Sequence, residues 1–241
     1  MEFALDRDGK RVHAQDADKR EEYTCPVCGA KVIPRQGEVN SWHYAHLTPC
    51  EDDWEYDMSE WHRSWQEQFP KGNREIVLEC DGEKHRADVL AYGYVLEFQH
   101  SPISAEEFNR RNAFYTKAGK KVIWIFDLIG EINAYRQQFR PPKLKCYDEW
   151  NRNNDNGGLW EWRYPKKCFK DYIPHEQKNI ILFFQIADTD FSNEVDYYYI
   201  ERVIWAPTYN FGKTSNFSRF KTSYYPGTKT EMLDWMKNKK L

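Results

Sequence analysis

Residues 84–99 read Lys84-His-Arg-Ala-Asp-Val-Leu-Ala-Tyr-Gly-Tyr-Val-Leu-Glu-Phe-Gln99, and this stretch decides the fold. It contains two strand-like runs, the first with Asp88 and the second with Glu97 and Gln99. Side chains alternate between the two faces of a strand, so Glu97 and Gln99 point to the same side. The segment Ala91-Tyr-Gly-Tyr94 is typical of a hairpin turn, which would bring Asp88 across the ladder towards Glu97.

Two carboxylates that converge beside a polar amide predict a site for a hard divalent cation. Mg2+ and Mn2+ prefer oxygen ligands, and a cation held in this way can activate water. An acidic residue on each of two adjacent strands is also compatible with an ordinary solvated sheet face. The rest of the sequence is needed to choose between these two interpretations.

The composition limits the class of protein. With 241 residues, the chain can form one large domain or two smaller ones. The net charge of -3 and the pI of about 6.2 mean that nucleic acid would have to be bound by local basic patches. The sequence has no apolar run of membrane-spanning length and begins without a signal-peptide pattern. We therefore expect a cytoplasmic protein with reduced cysteines and no membrane span.

A second motif, Cys25-Pro-Val-Cys28, predicts a structural zinc site. The tight turn lets both thiolates reach one ion, and His43, His46 and Cys50 follow as further candidate ligands. The set Cys25, Cys28, His46 and Cys50 would form a Cys3His site, and His43 in place of Cys50 would form a Cys2His2 site. A redox CxxC pair is the alternative, but that motif lacks downstream ligands at this spacing.

Periodicity, capping patterns and turn signals predict a mixed α/β fold with four regions. These are short strands and the zinc knuckle over 1–53, a core over 54–130, a linker and strand-rich region over 131–206, and a basic, aromatic tail over 207–241. Within the core, the expected order is helix, three strands, helix, strand. The expected elements are a helix from about 54 to 69, strands over 75–80, 84–91 and 94–100, a helix from 104 to 117, a strand over 121–127, and later strands near 160–164, 179–186 and 196–205.

The tail has a composition that suits single-stranded nucleic acid. Residues 207–241 contain seven Lys or Arg and two Asp or Glu, interleaved with Phe and Tyr. Basic groups can neutralise phosphates while aromatic rings stack on bases. A solvated terminal segment is the alternative interpretation.

Taken together, these motifs resemble the competence protein CoiA-like family of the PD-(D/E)xK nuclease superfamily. The resembling segments are Cys25-Pro-Val-Cys28, Trp42-His-Tyr-Ala-His46, Glu60-Trp-His62, His85-Arg-Ala-Asp88-Val89, Glu97-Phe-Gln-His-Ser-Pro-Ile-Ser104, and Arg111 with Tyr115. They cover roughly residues 1 to 130 in the expected order, which makes chance agreement improbable.

The resemblance implies a restriction-endonuclease-like core in which Asp88 and Glu97 hold a catalytic Mg2+ or Mn2+. Glu60, on the first helix, would be an added carboxylate near this metal. The superfamily pattern has Lys at its third position, where this chain has Gln99. A Gln side chain can hold a water but carries no charge.

The resemblance also implies three further residues at the same site. Arg111 would bind the scissile phosphate, because its planar fork suits phosphate oxygens, and Tyr115 lies one turn further along the same helix. His62 would contact a phosphate or a water, although a purely structural role fits it equally well.

The resulting hypothesis is a metal-dependent nuclease that hydrolyses phosphodiester bonds in DNA, serving DNA uptake, recombination or phage defence. One alternative is a non-catalytic nucleic-acid-binding protein that keeps the nuclease fold, with Gln99 as the sign of lost activity. Another is an interaction protein whose region after residue 145 docks a protein partner. A shared fold does not choose among these functions.

Overall fold

The computed structural model describes residues 1–37, 42–49, 58–101, 103–127, 132–133, 138–139, 146–149, 159–163, 179–187, 199–206, 217–223 and 229–238. These residues have a mixed α/β architecture, and the chain divides into two compact units. The first unit comprises Met1–Asp57 and Gln66–Leu90, and the second comprises Met58–Trp65 and Ala91–Leu241.

The strands and helices of the described residues follow in chain order. The strands are β1 (Phe3–Leu5), β2 (Arg11–His13), β3 (Tyr23–Thr24), β4 (Lys31–Arg35), β5 (His43–His46), β6 (Arg74–Cys80), β7 (Glu83–Ala91), β8 (Tyr94–Gln99), β9 (Lys121–Asp127), β10 (Ile132–Asn133), β11 (Gln138–Phe139), β12 (Cys146–Glu149), β13 (Leu159–Arg163), β14 (Ile180–Ala187), β15 (Tyr199–Ala206) and β16 (Phe217–Ser223). The α-helices are α1 (Glu60–Gln66), α2 (Ala105–Lys117) and α3 (Lys229–Asn238).

The first unit contains a five-stranded sheet and a hairpin. The sheet has the order β2-β1-β3-β4-β5, and all of its neighbouring strands are antiparallel. Its small core is formed by Ala4, Ala14, Tyr23, Cys25, Val32 and Tyr44. Strands β6 and β7 form the hairpin, and Asp81 and Gly82 at its turn both have positive φ, as a two-residue type I′ turn requires.

A buried carboxylate connects these two parts of the first unit. Glu75, in β6, is 1% exposed, and its Oε2 accepts hydrogen bonds from the backbone N–H of Glu2 at 2.8 Å and of Phe3 at 3.2 Å. Its φ of 48° lies in the left-handed region, which is rare for a residue other than glycine. Arg11 adds a further link, because its guanidinium lies 3.6 Å above the Phe3 ring and donates to the carbonyl of Arg74.

The second unit contains a mixed sheet. Strands β8, β9 and β14 are parallel neighbours in that order, and the sheet continues through β15, β16, β13 and β12 in antiparallel fashion. Residues 122–126 of β9 are buried on both faces, as its unbroken apolar sequence predicts. Helix α2 connects β8 to β9, beginning after the N-cap Ser104, whose side chain accepts from the N–H of Glu107 at 3.1 Å.

Apart from the first helix, the predicted elements of the core are confirmed to within one residue. Strands β6 to β9 and helix α2 occupy the expected positions, and β13, β14 and β15 correspond to the three later strands. The helix expected over 54–69 is observed only over Glu60–Gln66, as α1. Residues 58–59 and 67–69 are not helical, because the hydroxyl of Ser59 accepts from the N–H of His62 at the start and the chain turns after Gln66, whose carbonyl accepts from the N–H of Phe69 at 3.0 Å. Residues 54–57 lie outside the described residues.

The segment assigned to a basic tail contains more regular structure than its composition indicates. Strand β16 pairs with both β13 and β15, and α3 has Met232, Leu233 and Met236 buried. The interpretation of the whole tail as a solvated terminal segment is therefore wrong. Tyr209, Phe211, Tyr224 and Tyr225, among the aromatic residues expected to stack on bases, lie outside the described residues. Among the helices that the structure describes, none is long and apolar enough to cross a membrane.

Candidate active site and metal centre

Cys25, Cys28 and His46 form a cluster that could bind a metal ion. Their ligand atoms all lie within 4.8 Å of one another, and Sγ of Cys28 is 3.6 Å from Nε2 of His46. The turn after Cys25 brings the two thiols together, since the N–H of Gly29 donates to the carbonyl of Cys25 at 2.9 Å. Strand β5 pairs with β4 in a register that places His46 opposite Val32, which brings the imidazole to the knuckle.

The geometry of this cluster fits zinc. Zinc binds thiolate sulfur at about 2.3 Å and imidazole nitrogen at about 2.0–2.1 Å with tetrahedral angles, which separates the two ligand atoms by about 3.6 Å. The observed distance from Cys28 to His46 has this value. Burial raises the pKa of the Cys25 thiol, so a zinc ion would have to displace a proton from it on binding.

The structure distinguishes the two remaining candidate ligands. His43 and His46 are three positions apart in β5, so their side chains project from opposite faces of the strand. His43 accordingly lies outside the cluster formed by the described residues. Cys50 is outside the described residues.

Glu97 is held by two residues of α2. Its side chain is 2% exposed, Oε2 accepts from Nη1 of Arg111 at 3.1 Å, and Oε1 accepts from the hydroxyl of Tyr115 at 2.5 Å. Arg111 and Tyr115 are one helical turn apart, so both project from the face of α2 towards β8. The structure thus brings together three of the residues that the sequence assigns to the site.

The guanidinium of Arg111 is fixed by two carboxylates. Besides Glu97, it meets Glu107 one turn earlier, where Nε donates to Oε1 at 2.7 Å. Burial alone would lower the pKa of Arg111, but the negative charges of Glu97 and Glu107 outweigh burial and raise it further above its ordinary value. Arg111 therefore carries its charge at every accessible pH, and its orientation is fixed.

Asp88 is 2% exposed and lies in the first unit, between the buried residues Ala87 and Val89 of β7. The backbone carbonyl of Asp88 accepts from Nε2 of Gln66 at 3.3 Å. In the β6–β7 register, Arg74 is opposite Val89 and Ile76 is opposite Ala87, so Glu75 with its left-handed φ falls level with Asp88. Backbone strain of this kind is often found near functional residues.

The other predicted site residues differ in their exposure. Gln99, the last residue of β8, is partly exposed, and its Nε2 donates to the carbonyl of Ser101 at 2.5 Å. Glu60 is exposed in the first turn of α1. His62 is buried, with its ring edge on Phe98 at a centroid distance of 5.7 Å.

A group of hydrogen-bonded residues in the second unit was not predicted from the sequence. Nε1 of Trp61 and Nε1 of Trp65 both donate to Oε1 of Gln185 at 2.8 Å, and His100 pairs with Asp127. One signal was available, since Asp127 and Gln185 are polar residues near the ends of apolar strands. Their partners could not be found from this signal, because the parallel strand order is not visible in local patterns.

Comparison with protein families identifies the class. Residues 58–193 match a family model described as Competence protein CoiA, nuclease-like domain, and residues 7–51 match one described as Competence protein CoiA, N-terminal domain. The first of these matches spans more than half of the 241 residues. The chain therefore belongs to the competence protein CoiA family, which confirms the family that the sequence motifs indicate. No curated protein and no solved structure matches the chain.

Proposed function

We propose that this protein is a metal-dependent nuclease that hydrolyses phosphodiester bonds in DNA, during DNA uptake, recombination or phage defence. The observation that carries the proposal is the buried carboxylate of Glu97, oriented by Arg111 and Tyr115 within the nuclease-like segment. A buried carboxylate next to a fixed guanidinium combines a ligand for a hard cation with a group for a phosphate. This combination suits phosphodiester hydrolysis better than a purely structural ion pair.

The turn between β7 and β8 supports a joint role for Asp88 and Glu97. Tyr92 and Gly93 have φ of 54° and 84°, the signs of a type I′ hairpin turn. In such a hairpin, residues at equal distances from the turn face one another. Asp88 lies four residues before Tyr92, and Glu97 lies four residues after Gly93. Equal spacing from the turn therefore favours a joint role for Asp88 and Glu97, and Gln99 lies on the same strand face as Glu97.

In the proposed mechanism, Asp88 and Glu97 would hold the ion, and Glu60 would add a carboxylate near it. A bound Mg2+ or Mn2+ would lower the pKa of the attacking water and neutralise charge on the phosphate. Tyr115 donates to Glu97 and so keeps its carboxylate in one orientation. Arg111, fixed by Glu97 and Glu107, would donate to an oxygen of the scissile phosphate. Gln99 and His62 would position water around the phosphate.

The proposal includes the domain boundaries and the fourth zinc ligand. Residues 54–130 would form a restriction-endonuclease-like core, preceded by the zinc module over 1–53 and followed by 131–206 and the tail over 207–241. Cys50 would be the fourth zinc ligand, giving a Cys3His site with Cys25, Cys28 and His46. The zinc module would orient the core or grip DNA, and the protein would act in the cytoplasm.

The test is cleavage of labelled single-stranded and double-stranded DNA and RNA with Mg2+, Mn2+ or EDTA. Wild type is compared with Asp88→Ala and Glu97→Ala, and with Glu79→Ala as the matched control. Glu79 is an exposed residue of β6 with no proposed role in hydrolysis, and its Oε2 lies 3.4 Å from Nζ of Lys84. We expect metal-dependent cutting by wild type and Glu79→Ala and none by the other two variants. Equal cutting by all four proteins would contradict the site.

A non-catalytic nucleic-acid-binding protein is the second candidate function. One observation favours it: Gln99 replaces the usual Lys, and its amide nitrogen is committed to the carbonyl of Ser101. The same assay separates the two functions. Binding without cutting by wild type, Asp88→Ala and Glu97→Ala alike would support the non-catalytic candidate.

A further inference from the structure

A histidine and an aspartate meet where two parallel strands of the second unit end. Asp127 is the last residue of β9, and His100 directly follows β8. The register places Gln99 opposite Phe126, so the next residues, His100 and Asp127, are neighbours. Nδ1 of His100 lies 2.6 Å from Oδ2 of Asp127, whose side chain is only 10% exposed. The imidazole itself is 45% exposed and thus remains accessible.

The indole of Trp61 lies beside this imidazole and is held by a hydrogen bond to Gln185. The ring centroids of Trp61 and His100 are 6.1 Å apart, and the two ring planes make an angle of 31°. Trp61 is held in turn by Gln185, a fully buried residue of β14 whose amide oxygen accepts from both Trp61 and Trp65. The two indole N–H groups bond to the same buried amide oxygen, and these bonds fix the position of α1 relative to the carboxyl end of β14. The imidazole and the indole are therefore held in place before any ligand binds.

The chemistry of this pair suits one nucleotide of a nucleic acid. Because Nδ1 of His100 lies against Asp127, Nε2 is the ring nitrogen whose N–H can be donated to an anion, and no group among the described residues bonds to it. Phosphate oxygens accept such hydrogen bonds, and the half-buried face of Trp61 offers a surface on which a base can stack. Ligands also bind preferentially at the carboxyl ends of parallel strands, where His100 and Asp127 lie.

We propose that His100, oriented by Asp127 and flanked by Trp61, forms a subsite for a nucleotide that neighbours the scissile phosphate. His100 would contact the phosphate of that nucleotide and Trp61 its base. His100 follows Glu97 by three residues, which corresponds to about 10 Å along a strand. Residues three positions apart on a strand project from opposite faces, so His100 faces away from Glu97 and does not share its ion. This inference rests on the proposed function, because it extends the binding site of the same substrate.

The test measures binding of DNA oligonucleotides in which one phosphate at a time is replaced by a neutral methylphosphonate. Full-length, zinc-loaded protein is used without added Mg2+ or Mn2+, so that no metal-dependent cleavage takes place. For wild type, we expect one methylphosphonate position beside the cleavage site to weaken binding roughly tenfold, as for a hydrogen bond to a charged group. In His100→Asn, unmodified DNA should bind roughly tenfold more weakly, and that same methylphosphonate should cause no further loss.

Two further variants test whether the lost affinity belongs to Nε2 of His100 or to positive charge in general. The side chain of Asn can still donate to Asp127 but lacks a group at the position of Nε2, whereas Gln reaches closer to that position. His100→Gln should therefore recover part of the lost affinity. Lys120→Gln is the control for general charge, because Lys120 precedes β9 and lies at the opposite end of that strand from Asp127. This control should keep the methylphosphonate pattern of wild type.

The outcomes separate the subsite from the nuclease. If each methylphosphonate weakens binding to His100→Asn as much as it weakens binding to wild type, His100 contacts none of these phosphates. The subsite is then wrong, even if the separate nuclease assay shows cleavage. If the pattern depends on His100 but no DNA is cut with Mg2+ or Mn2+, the subsite holds and the nuclease activity fails. Absence of DNA binding by wild type would overturn the subsite as well.

Discussion

The Cys25–Cys28–His46 cluster and the carboxylate of Glu97 are two prospective metal sites that differ in how their ligand atoms are held. In the cluster, three ligand atoms face one another within 4.8 Å, and Cys25 is buried. At Glu97, both oxygens already accept hydrogen bonds from Arg111 and Tyr115. The first arrangement needs an ion to hold it, whereas the second is held by the protein. Loss of metal should therefore affect folding at the cluster and chemistry at Glu97.

The largest effect should follow from removing zinc. Because structural zinc in small modules supplies about 10 kcal/mol or more of apparent binding free energy, Cys28→Ser or a strong chelator should unfold the five-stranded sheet of the first unit. Thermal unfolding and zinc content by mass spectrometry would measure this. Unchanged melting after complete removal of zinc would refute the structural role of the cluster.

The second effect concerns catalysis. Glu97→Gln keeps an acceptor for Arg111 but removes the charge that would hold the cation, so cleavage should fall by roughly a thousandfold, since a metal ion supplies several kcal/mol. Zinc content should not change. The comparison between the two sites would break down if this variant lost zinc or retained its cleavage rate.

A smaller effect is expected at Tyr115. Tyr115→Phe removes one hydrogen bond to the carboxylate of Glu97, which should reduce cleavage roughly tenfold, because hydrogen bonds to charged groups contribute about 1.5–3 kcal/mol. The reduction should shrink at high Mg2+ if Tyr115 acts by orienting a metal ligand. A metal titration of the cleavage rate distinguishes this role from general destabilisation.

The smallest effect should be seen at His43. Its side chain projects from the face of β5 opposite to His46, so His43→Ala should keep one zinc per chain and nearly the wild-type melting temperature. His46→Ala is the matched comparison and should lose zinc. Loss of zinc in His43→Ala would favour the Cys2His2 arrangement over the Cys3His one.

Local patterns account for much of this protein. The strands β7 and β8 and the helix α2 depend on patterns within a few residues, and all three are confirmed. The family resemblance implies that Arg111 and Tyr115 lie at the site of Glu97, and their one-turn spacing puts both on one face of α2.

Long-range partners could not be predicted in this way. Trp61 and Gln185 are 124 positions apart and meet because β14 joins β9 in parallel, which no local signal specifies. The pairing of His100 with Asp127 depends on the register of β8 and β9 in the same way. Strand β16 was missed because a basic, aromatic segment reads equally well as an exposed tail.

The carboxylate of Glu75 has a practical consequence for dissecting this protein into fragments. A boundary after residue 53, as the sequence motifs suggest, would produce a fragment without Glu2 and Phe3, whose N–H groups bind that carboxylate. The fragment would lose both donors of that carboxylate and would expose the buried surface around it, next to the strand that carries Asp88. We therefore expect residues 54–241 expressed alone to be poorly soluble and inactive, and inactivity of that fragment would say nothing about the chemistry of the intact chain.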